Sequence, residues 1–153
     1  MTVQVNNEKD FIKIALKLLA SRDYFSSELK NKVIAKGAPD DIADKVMEYL
    51  ANYNYLDDRR VLEKYSKEIA QKLKGFFYLK KKLYEKGCFD ILEKMDMRCC
   101  YTEEMEKEAA LNLVDKLNLS DMAVIEKKLV SRGFSSEIIP FVKREIKNRA
   151  KWN

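Results

Sequence analysis

The chain has no histidine among its 153 residues, and this absence excludes several kinds of catalytic site. Histidine is the usual general base and a common zinc ligand, so Ser–His triads and HExxH zinc sites cannot be built from these residues. The three cysteines form no CxxC pair, and no glycine-rich phosphate-binding motif occurs. We therefore expect a protein that is not an enzyme and that holds no metal and no other cofactor.

The cysteines are Cys88, Cys99 and Cys100. Cys88 and Cys99 fall at apolar positions and are predicted to lie in the core, whereas Cys100 is predicted to lie at the surface. An odd number of cysteines without a recognisable secretion signal is typical of a reducing compartment. The pattern therefore predicts a cytoplasmic protein.

Glycine and proline are scarce as well, with 4 and 2 residues respectively. Turn-rich β-proteins need many more of both, so the composition favours helices. Charged residues make up 36% of the chain, which is typical of solvated helix faces, and no apolar run is long enough to span a bilayer. We expect an all-α protein that does not cross a membrane.

One motif occurs three times and ends each time at a glycine: Gly37, Gly87 and Gly133. The residues four and eight positions before each glycine are aliphatic, the fifth before it is lysine, and the residue directly before it is a cation. The glycines lie 50 and 46 residues apart. Repetition at such a period predicts a tandem array of one supersecondary unit, and such arrays bind extended partners along their surface.

Each copy of the motif predicts a helix, a turn and a second helix. Aliphatic residues four apart give an apolar stripe, and glycine fits the left-handed conformation that follows a helix end. Asp40, Asp90 and Ser136 are predicted to cap the helix after each turn. A further helix precedes each pair, over residues 10–22, 60–73 and 102–117, the last with Met105, Ala109, Leu113 and Leu117 on its apolar face. The chain is thus predicted to form three tandem three-helix repeats with domains 1–58, 59–102 and 103–153.

The charge is uneven along these repeats. Residues 1–58 carry a net charge of −2, residues 59–108 of +3 and residues 109–153 of +4. A basic surface suits nucleic acid or an acidic protein, although lysines also simply keep helix faces solvated. The recurrence of lysine at equivalent repeat positions favours a shared functional face. The predicted binding residues are Lys80, Lys81, Lys82, Lys86, Lys127, Lys128, Arg132, Lys143, Arg144 and Lys147.

Two adjacent carboxylates, Asp57 and Asp58, precede a helical pattern. Such a pair could hold a metal ion or exchange protons. Stabilisation of the helix N-terminus is the favoured interpretation, because negative charge is favourable at that end of the helix dipole.

A set of spaced residues in the first and third repeats matches a known pattern. The matching residues are Ala15-Leu16, Leu19, Arg22, Glu28-Leu29, Lys32-Val33, Lys36-Gly37 and Tyr55-Leu56-Asp57-Asp58, then Lys128-Leu129 and Arg132-Gly133-Phe134-Ser135. Together they resemble the RecX family of recombination regulators over about residues 11–147. The chain departs from the pattern at Phe25, where the family has a serine that caps a helix, and at Asn54, where it has a glycine.

The resemblance implies three tandem three-helix units that form an elongated, curved protein. It also implies binding in the groove of the RecA filament on single-stranded DNA, with inhibition of RecA ATPase, strand exchange and co-protease activity. The family member itself catalyses nothing, and weak direct DNA binding is implied as well. We expect this chain to act as a monomer.

Two other classes of function stay open. Two helices joined by a short turn resemble a helix-turn-helix module, which would make the chain a DNA-binding protein. The first turns of the helix after Gly37 are acidic, which argues mildly against that interpretation. A helical-repeat scaffold that binds an unrelated protein partner is the other alternative.

Overall fold

The structure, a computed structural model, describes residues 7–152 of the chain. Within this range it contains nine α-helices, one 3-10 turn and no β-strand, so the prediction of an all-helical protein is confirmed. Residues 1–6 and 153 of the predicted domains 1–58 and 103–153 lie outside the described residues. The helices are α1 (Glu8–Ser21), α2 (Ser26–Ala35), α3 (Asp40–Asn52), α4 (Asp58–Gln71), α5 (Phe76–Glu85), α6 (Phe89–Lys94), α7 (Glu103–Lys116), α8 (Met122–Ser131) and α9 (Ile139–Trp152), and the 3-10 turn is Met97–Cys99.

The chain folds as two compact units. Of the described residues, the first unit contains those up to Leu62 together with the turn Lys86–Cys88. The second contains Glu63–Glu85 and the described residues from Phe89 onward. The division into the three domains 1–58, 59–102 and 103–153 stays a prediction.

The first unit packs α1, α2 and α3 around one apolar core. In each helix the core residues recur three or four positions apart, so they share a single face. The motif positions eight and four before Gly37 both belong to this face. Its fully buried side chains are Phe11, Ala15, Leu29, Val33, Ala43, Val46 and Leu50.

The second unit has a separate core in which α7, α8 and α9 meet. The buried face of α7 differs from the predicted stripe, because Glu106 belongs to it and is fully buried, whereas Leu117 lies just after the helix and is 39% exposed. The core residues are Ala109, Ala110, Leu113, Val114, Ile125, Leu129, Phe134, Ile138, Ile139 and Val142.

The three motif glycines adopt the left-handed conformation that the sequence predicts. Their φ angles are 109° at Gly37, 75° at Gly87 and 80° at Gly133. Asn54 also has a positive φ, of 61°, so asparagine replaces glycine there without loss of the turn.

In the first unit, a carboxylate from α4 holds the start of α2. Asp58 Oδ1 accepts hydrogen bonds from the backbone N–H of Ser26 at 2.8 Å and from its Oγ at 3.0 Å. The cap position is Phe25, which has no side-chain acceptor. Glu28 Oε1 accepts the Phe25 N–H at 3.1 Å. The amides left open at this helix end are thus satisfied partly from within the helix and partly from a distant one.

In the second unit, Glu106 of α7 plays a similar part at the start of α5. Its Oε2 accepts the N–H groups of Phe76 at 2.8 Å and of Ser135 at 3.0 Å. Its Oε1 accepts from Ser135 Oγ at 2.7 Å and from Arg98 Nη2 at 3.0 Å. Because Glu106 is fully buried, the guanidinium and three further donors are what make its charge tolerable.

Next to Glu106, the backbone at the start of α5 also hydrogen-bonds to the backbone of the turn after α8. The Gly75 N–H donates to Arg132 O at 3.0 Å, and the Phe77 N–H donates to Gly133 O at 2.8 Å. A Cβ at Gly75 would lie 2.3 Å from Phe134 Cα, so close approach rather than a positive φ requires glycine there. We call this contact, together with the Glu106 hydrogen bonds, the α5 joint. The Asp58 contact with Ser26 is the α2 joint.

The predicted helix caps are wrong in detail. Pro39 is the cap of α3, and Asp40 is already its first residue. Asp90 lies inside the first turn of α6. Ser136 lies in a separate turn, and α9 begins only at Ile139. The two aspartates still favour their helices, because both lie at the positive end of the helix dipole.

Two of the three cysteines lie on the side opposite to the prediction. Cys99 is exposed, whereas Cys100 is only 6% exposed. Helix α6 ends before them and a 3-10 turn follows, so the helical period used for the prediction does not reach them. Cys88 is buried as predicted, and burial, with a smaller contribution from Glu28, raises the pKa of its thiol to about 12.

Candidate functional site

Helix α5 carries three of the predicted binding residues, Lys80, Lys81 and Lys82, in its middle. Lys80 and Lys81 are exposed, and Lys82 is at the boundary of the surface. Lys82 Nζ lies 3.3 Å from Glu85 Oε2, and this hydrogen bond raises the pKa of the lysine. Lys81 Nζ lies 4.0 Å from the same carboxylate, a loose ion pair between exposed side chains. Such pairs contribute little to stability, so the lysines are available to a partner.

An aromatic ring lies between two cations near the start of α5. The Tyr78 ring centroid is 5.0 Å from Lys74 Nζ and 5.4 Å from Lys82 Nζ. The turn at Gly133 packs directly on this residue, since a Cβ added there would lie 2.5 Å from Tyr78 N. The structure therefore brings Lys82 and the Arg132–Gly133 turn to one neighbourhood. Sequence reasoning missed Lys74 and Tyr78, although the spacing of four residues from Lys74 to Tyr78 and from Tyr78 to Lys82 was visible.

Helices α8 and α9 carry five further predicted residues. Lys143 Nζ lies 2.6 Å from Glu126 Oε2 and so joins the two helices. Lys127 is exposed on α8, and Lys128 is half-buried in its last turn. Arg144 and Lys147 are exposed on α9. Within residues 7–152, no carboxylate pairs with Lys127, Lys128, Arg132, Arg144 or Lys147, so their charge faces solvent or a partner.

Lys86 differs from the other predicted residues because it belongs to the first unit. It is half-buried, and its Nζ lies 3.1 Å from Glu28 Oε2. Arg22 Nη2 reaches the same oxygen at 3.5 Å. Lys86 is therefore not fully exposed to solvent, although it occupies an equivalent position in the repeat. Its ion pair with Glu28 lies within the first unit.

The adjacent aspartates stabilise helix starts, as the favoured interpretation predicts. Asp57 Oδ1 accepts the Arg60 N–H at 3.1 Å, and Asp58 binds Ser26 in the α2 joint. Across the described range, no cluster of three or more acidic or cysteine side chains is arranged to hold a metal ion. The helices in that range also include none long and apolar enough to span a bilayer.

Known proteins share this sequence and fold. Residues 12–50 match the family model described as RecX, first three-helix domain. Regulatory protein RecX of Vibrio cholerae is 36% identical over 72 residues, which span 47% of this chain and 47% of the relative. Regulatory protein RecX of Chromohalobacter salexigens is 30% identical over 128 residues, which span 80% of this chain and 84% of the relative.

The chain belongs to the RecX family. At these identities it is a diverged member, as the sequence resemblance indicates. The crystal structure of RecX from Lactobacillus salivarius superposes with a TM-score of 0.79 at 22% identity, covering 92% of this chain and 96% of that one. The shared fold covers nearly all of both chains, whereas the match to the Vibrio cholerae RecX spans about half of that protein's length.

Proposed function

We propose that the chain regulates the RecA recombinase. It binds the RecA filament on single-stranded DNA and inhibits RecA ATPase, strand exchange and co-protease activity, and it catalyses nothing itself. It acts as a monomer in the cytoplasm. Membership of the RecX family carries the proposal, because the matching relatives are called regulatory proteins.

The cations of the second unit support this proposal. A RecA filament on DNA presents phosphates and acidic side chains, which attract exposed lysine and arginine. Lys127, Lys128, Arg144 and Lys147 have no carboxylate partner among the described residues, so binding would break no ion pair at these positions. Lys81, Lys82 and Lys143 would exchange one carboxylate for another anion.

The helix-turn-helix alternative has weaker support. Its recognition helix in the first unit would be α3, whose exposed first turns carry Asp40, Asp41 and Asp44. Asp44 pairs with Lys30 of α2 at 2.7 Å. Asp40 and Asp41 still give this helix face a net negative charge. DNA phosphates would repel that face. The scaffold alternative is an outcome of the binding experiment.

The test compares three forms of DNA. Fluorescence anisotropy of a labelled strand is measured with the chain added to RecA-coated single strand, bare single strand and bare duplex, across a range of salt concentrations. The proposal expects tightest binding to the coated strand and a lower DNA-dependent ATPase rate of pre-formed filaments. Tightest binding to bare duplex would favour the helix-turn-helix alternative. Binding to none of the three, with an unchanged ATPase rate, would leave the scaffold.

A charge-reversal variant tests the predicted binding residues. Replacing Lys128, Arg132 and Arg144 by glutamate should weaken filament binding at least tenfold, or about 1.4 kcal/mol. The matched control reverses Lys13, Lys17 and Lys45, which are exposed lysines of the first unit. Both variants change the net charge equally, so a general electrostatic effect would weaken them alike. Equal binding by the first variant and the parent would place the contacts elsewhere.

A further inference from the structure

One face of α5 exposes aromatic rings on both sides of two lysines. Phe77, Lys80, Lys81 and Tyr84 recur at helical spacing and so share this face. Phe77 is 48% exposed and Tyr84 is 65% exposed. The Tyr84 ring contacts that of Phe89 edge to face at 5.4 Å, and Phe89 is 51% exposed. We call these five residues the α5 stripe.

The packing of the repeat does not require these rings. Helix α5 buries a different face, which carries Phe76, Leu79 and Leu83. Counting from the motif glycines, the positions of Phe77, Tyr84 and Phe89 hold no aromatic residue in the other repeats. The equivalent residues are Ser27, Ile34 and Pro39 in the first repeat and Ala123, Val130 and Ser135 in the third.

The lysines of the stripe are placed to reach an anion between the rings. Lys80 Nζ lies 5.9 Å from the Phe77 ring centroid and 4.9 Å from that of Phe76, so its stem runs along aromatic surface. Among the described residues, Lys81 pairs only loosely, with Glu85. An exposed aromatic patch with cations in its middle is better suited to a ligand that alternates flat faces and negative charge than to an aliphatic protein surface.

We propose that the α5 stripe is a stacking site for single-stranded nucleic acid. Bases stack on Phe77 and on Tyr84, and the phosphates between them contact Lys80 and Lys81. At 1.5 Å rise per residue, the two rings are about 10 Å apart along the helix. Three stacked nucleotides advance about the same distance. Only a strand outside a duplex offers the faces of its bases, so the site selects single strands.

The proposal deepens the proposed function, since it gives the chain a contact with the DNA strand in addition to the filament protein. Its test needs no filament. Anisotropy of the intact chain with a labelled 20-nucleotide thymidine strand is compared with an abasic strand of the same length. Both carry the same phosphates, so a preference for the thymidine strand reports stacking on bases. We expect the parent chain to bind the thymidine strand at least tenfold more tightly.

Two double variants separate the rings from the lysines. Replacing Phe77 and Tyr84 by serine should remove the preference for the thymidine strand and leave abasic binding within twofold. Replacing Lys80 and Lys81 by glutamine should weaken both strands and flatten the dependence of log affinity on log salt by about 1.4, for two phosphates. The control is Tyr53→Ser, which removes a ring that is 63% exposed in the first unit and should change neither strand. Circular dichroism checks that each variant keeps its helices.

Any of three results would overturn the stacking site. The first two are that the parent chain binds the thymidine and abasic strands equally, or that it binds neither. The third is that the variant lacking Phe77 and Tyr84 keeps its preference for the thymidine strand. If that variant keeps the preference but loses RecA-coated strands, the stripe docks a protein. If the parent chain neither binds the RecA filament nor inhibits its ATPase, but still prefers the thymidine strand, the proposed regulation is refuted and the stacking site is not.

Discussion

The α2 joint and the α5 joint are built from the same parts at different depths. In each, a carboxylate from a later helix accepts the N–H of the first residue of the joined helix: Asp58 for Ser26, and Glu106 for Phe76. Asp58 is partly exposed and uses one oxygen, whereas Glu106 is fully buried and uses both. The same connection is thus a surface cap in one unit and part of the core in the other.

The turn glycines of the two units also differ in how closely other residues pack against them. A Cβ at Gly87 would lie 3.4 Å from Asn31 Nδ2, the end of a side chain that can move. At Gly133 the Cβ would meet the backbone of Tyr78 at 2.5 Å. Equal sequence motifs therefore tolerate substitution unequally. The tolerance depends on what packs against the turn.

The largest effect is expected at Glu106. Changing Glu106 to glutamine removes the charge that balances Arg98. The new NH2 group is itself a donor, and it would face an N–H group whose hydrogen bond the carboxylate accepts. Breaking a buried ion pair on one side costs about 3–5 kcal/mol. Urea unfolding followed by circular dichroism measures the change in the free energy of unfolding.

A matched control lies two residues away in α7. Glu108 is exposed, and Glu108→Gln should change the stability by no more than about 0.5 kcal/mol. If Glu106→Gln proves as mild as this control, the α5 joint is no stronger than a surface cap, and the contrast between the two joints fails.

The next largest effect is expected at Gly133. Alanine there combines a strained left-handed φ, worth about 1–2 kcal/mol, with overpacking against Tyr78, worth about 1–3 kcal/mol. Gly37→Ala is the matched control, because its φ is also positive but nothing lies within 4 Å of the added Cβ. Gly37→Ala should cost only the first amount. Stability is measured by thermal and urea unfolding. Equal stability of the two alanine variants would contradict the packing argument.

The smallest effect is expected at Asp58. In Asp58→Asn, Oδ1 can still accept both bonds from Ser26, and the new NH2 can turn to water. We expect a loss of under about 1 kcal/mol, near the low end for helix caps. The measurement is the same urea titration. A loss as large as that of Glu106→Gln would mean that the α2 joint is as demanding as the α5 joint.

The sequence predicted the elements of the fold well because local rules determine them. Leu29 and Val33 are spaced for a helical stripe, and Gly133 lies at the turn position that needs a positive φ. Glu106 could not be found in the same way. It is one of three acidic residues in the first turn of α7, and the backbone N–H groups that it accepts lie 29 and 30 residues away. Only the tertiary fold shows that this one is buried.

The candidate site divides along the same line. The exposure of Lys80, Lys81, Arg144 and Lys147 follows from their positions on amphipathic helices, which the sequence shows. The engagement of Lys86 with Glu28 does not, because the two residues are 58 positions apart. Their proximity depends on packing within the first unit. Charge and spacing identify candidate cations, and only the packing shows which of them the fold already uses.

The α2 joint also bears on the order in which the chain can fold during synthesis. Ser26 leaves the ribosome 32 residues before Asp58, the side chain that accepts its hydrogen bonds. At roughly 5–20 residues per second, the start of α2 waits roughly 2 to 6 seconds for that acceptor. Phe76 waits in the same way for Glu106, which is 30 residues later. In both joints a helix thus completes the one made two helices earlier, α4 for α2 and α7 for α5, and the α2 joint can close before the α5 joint.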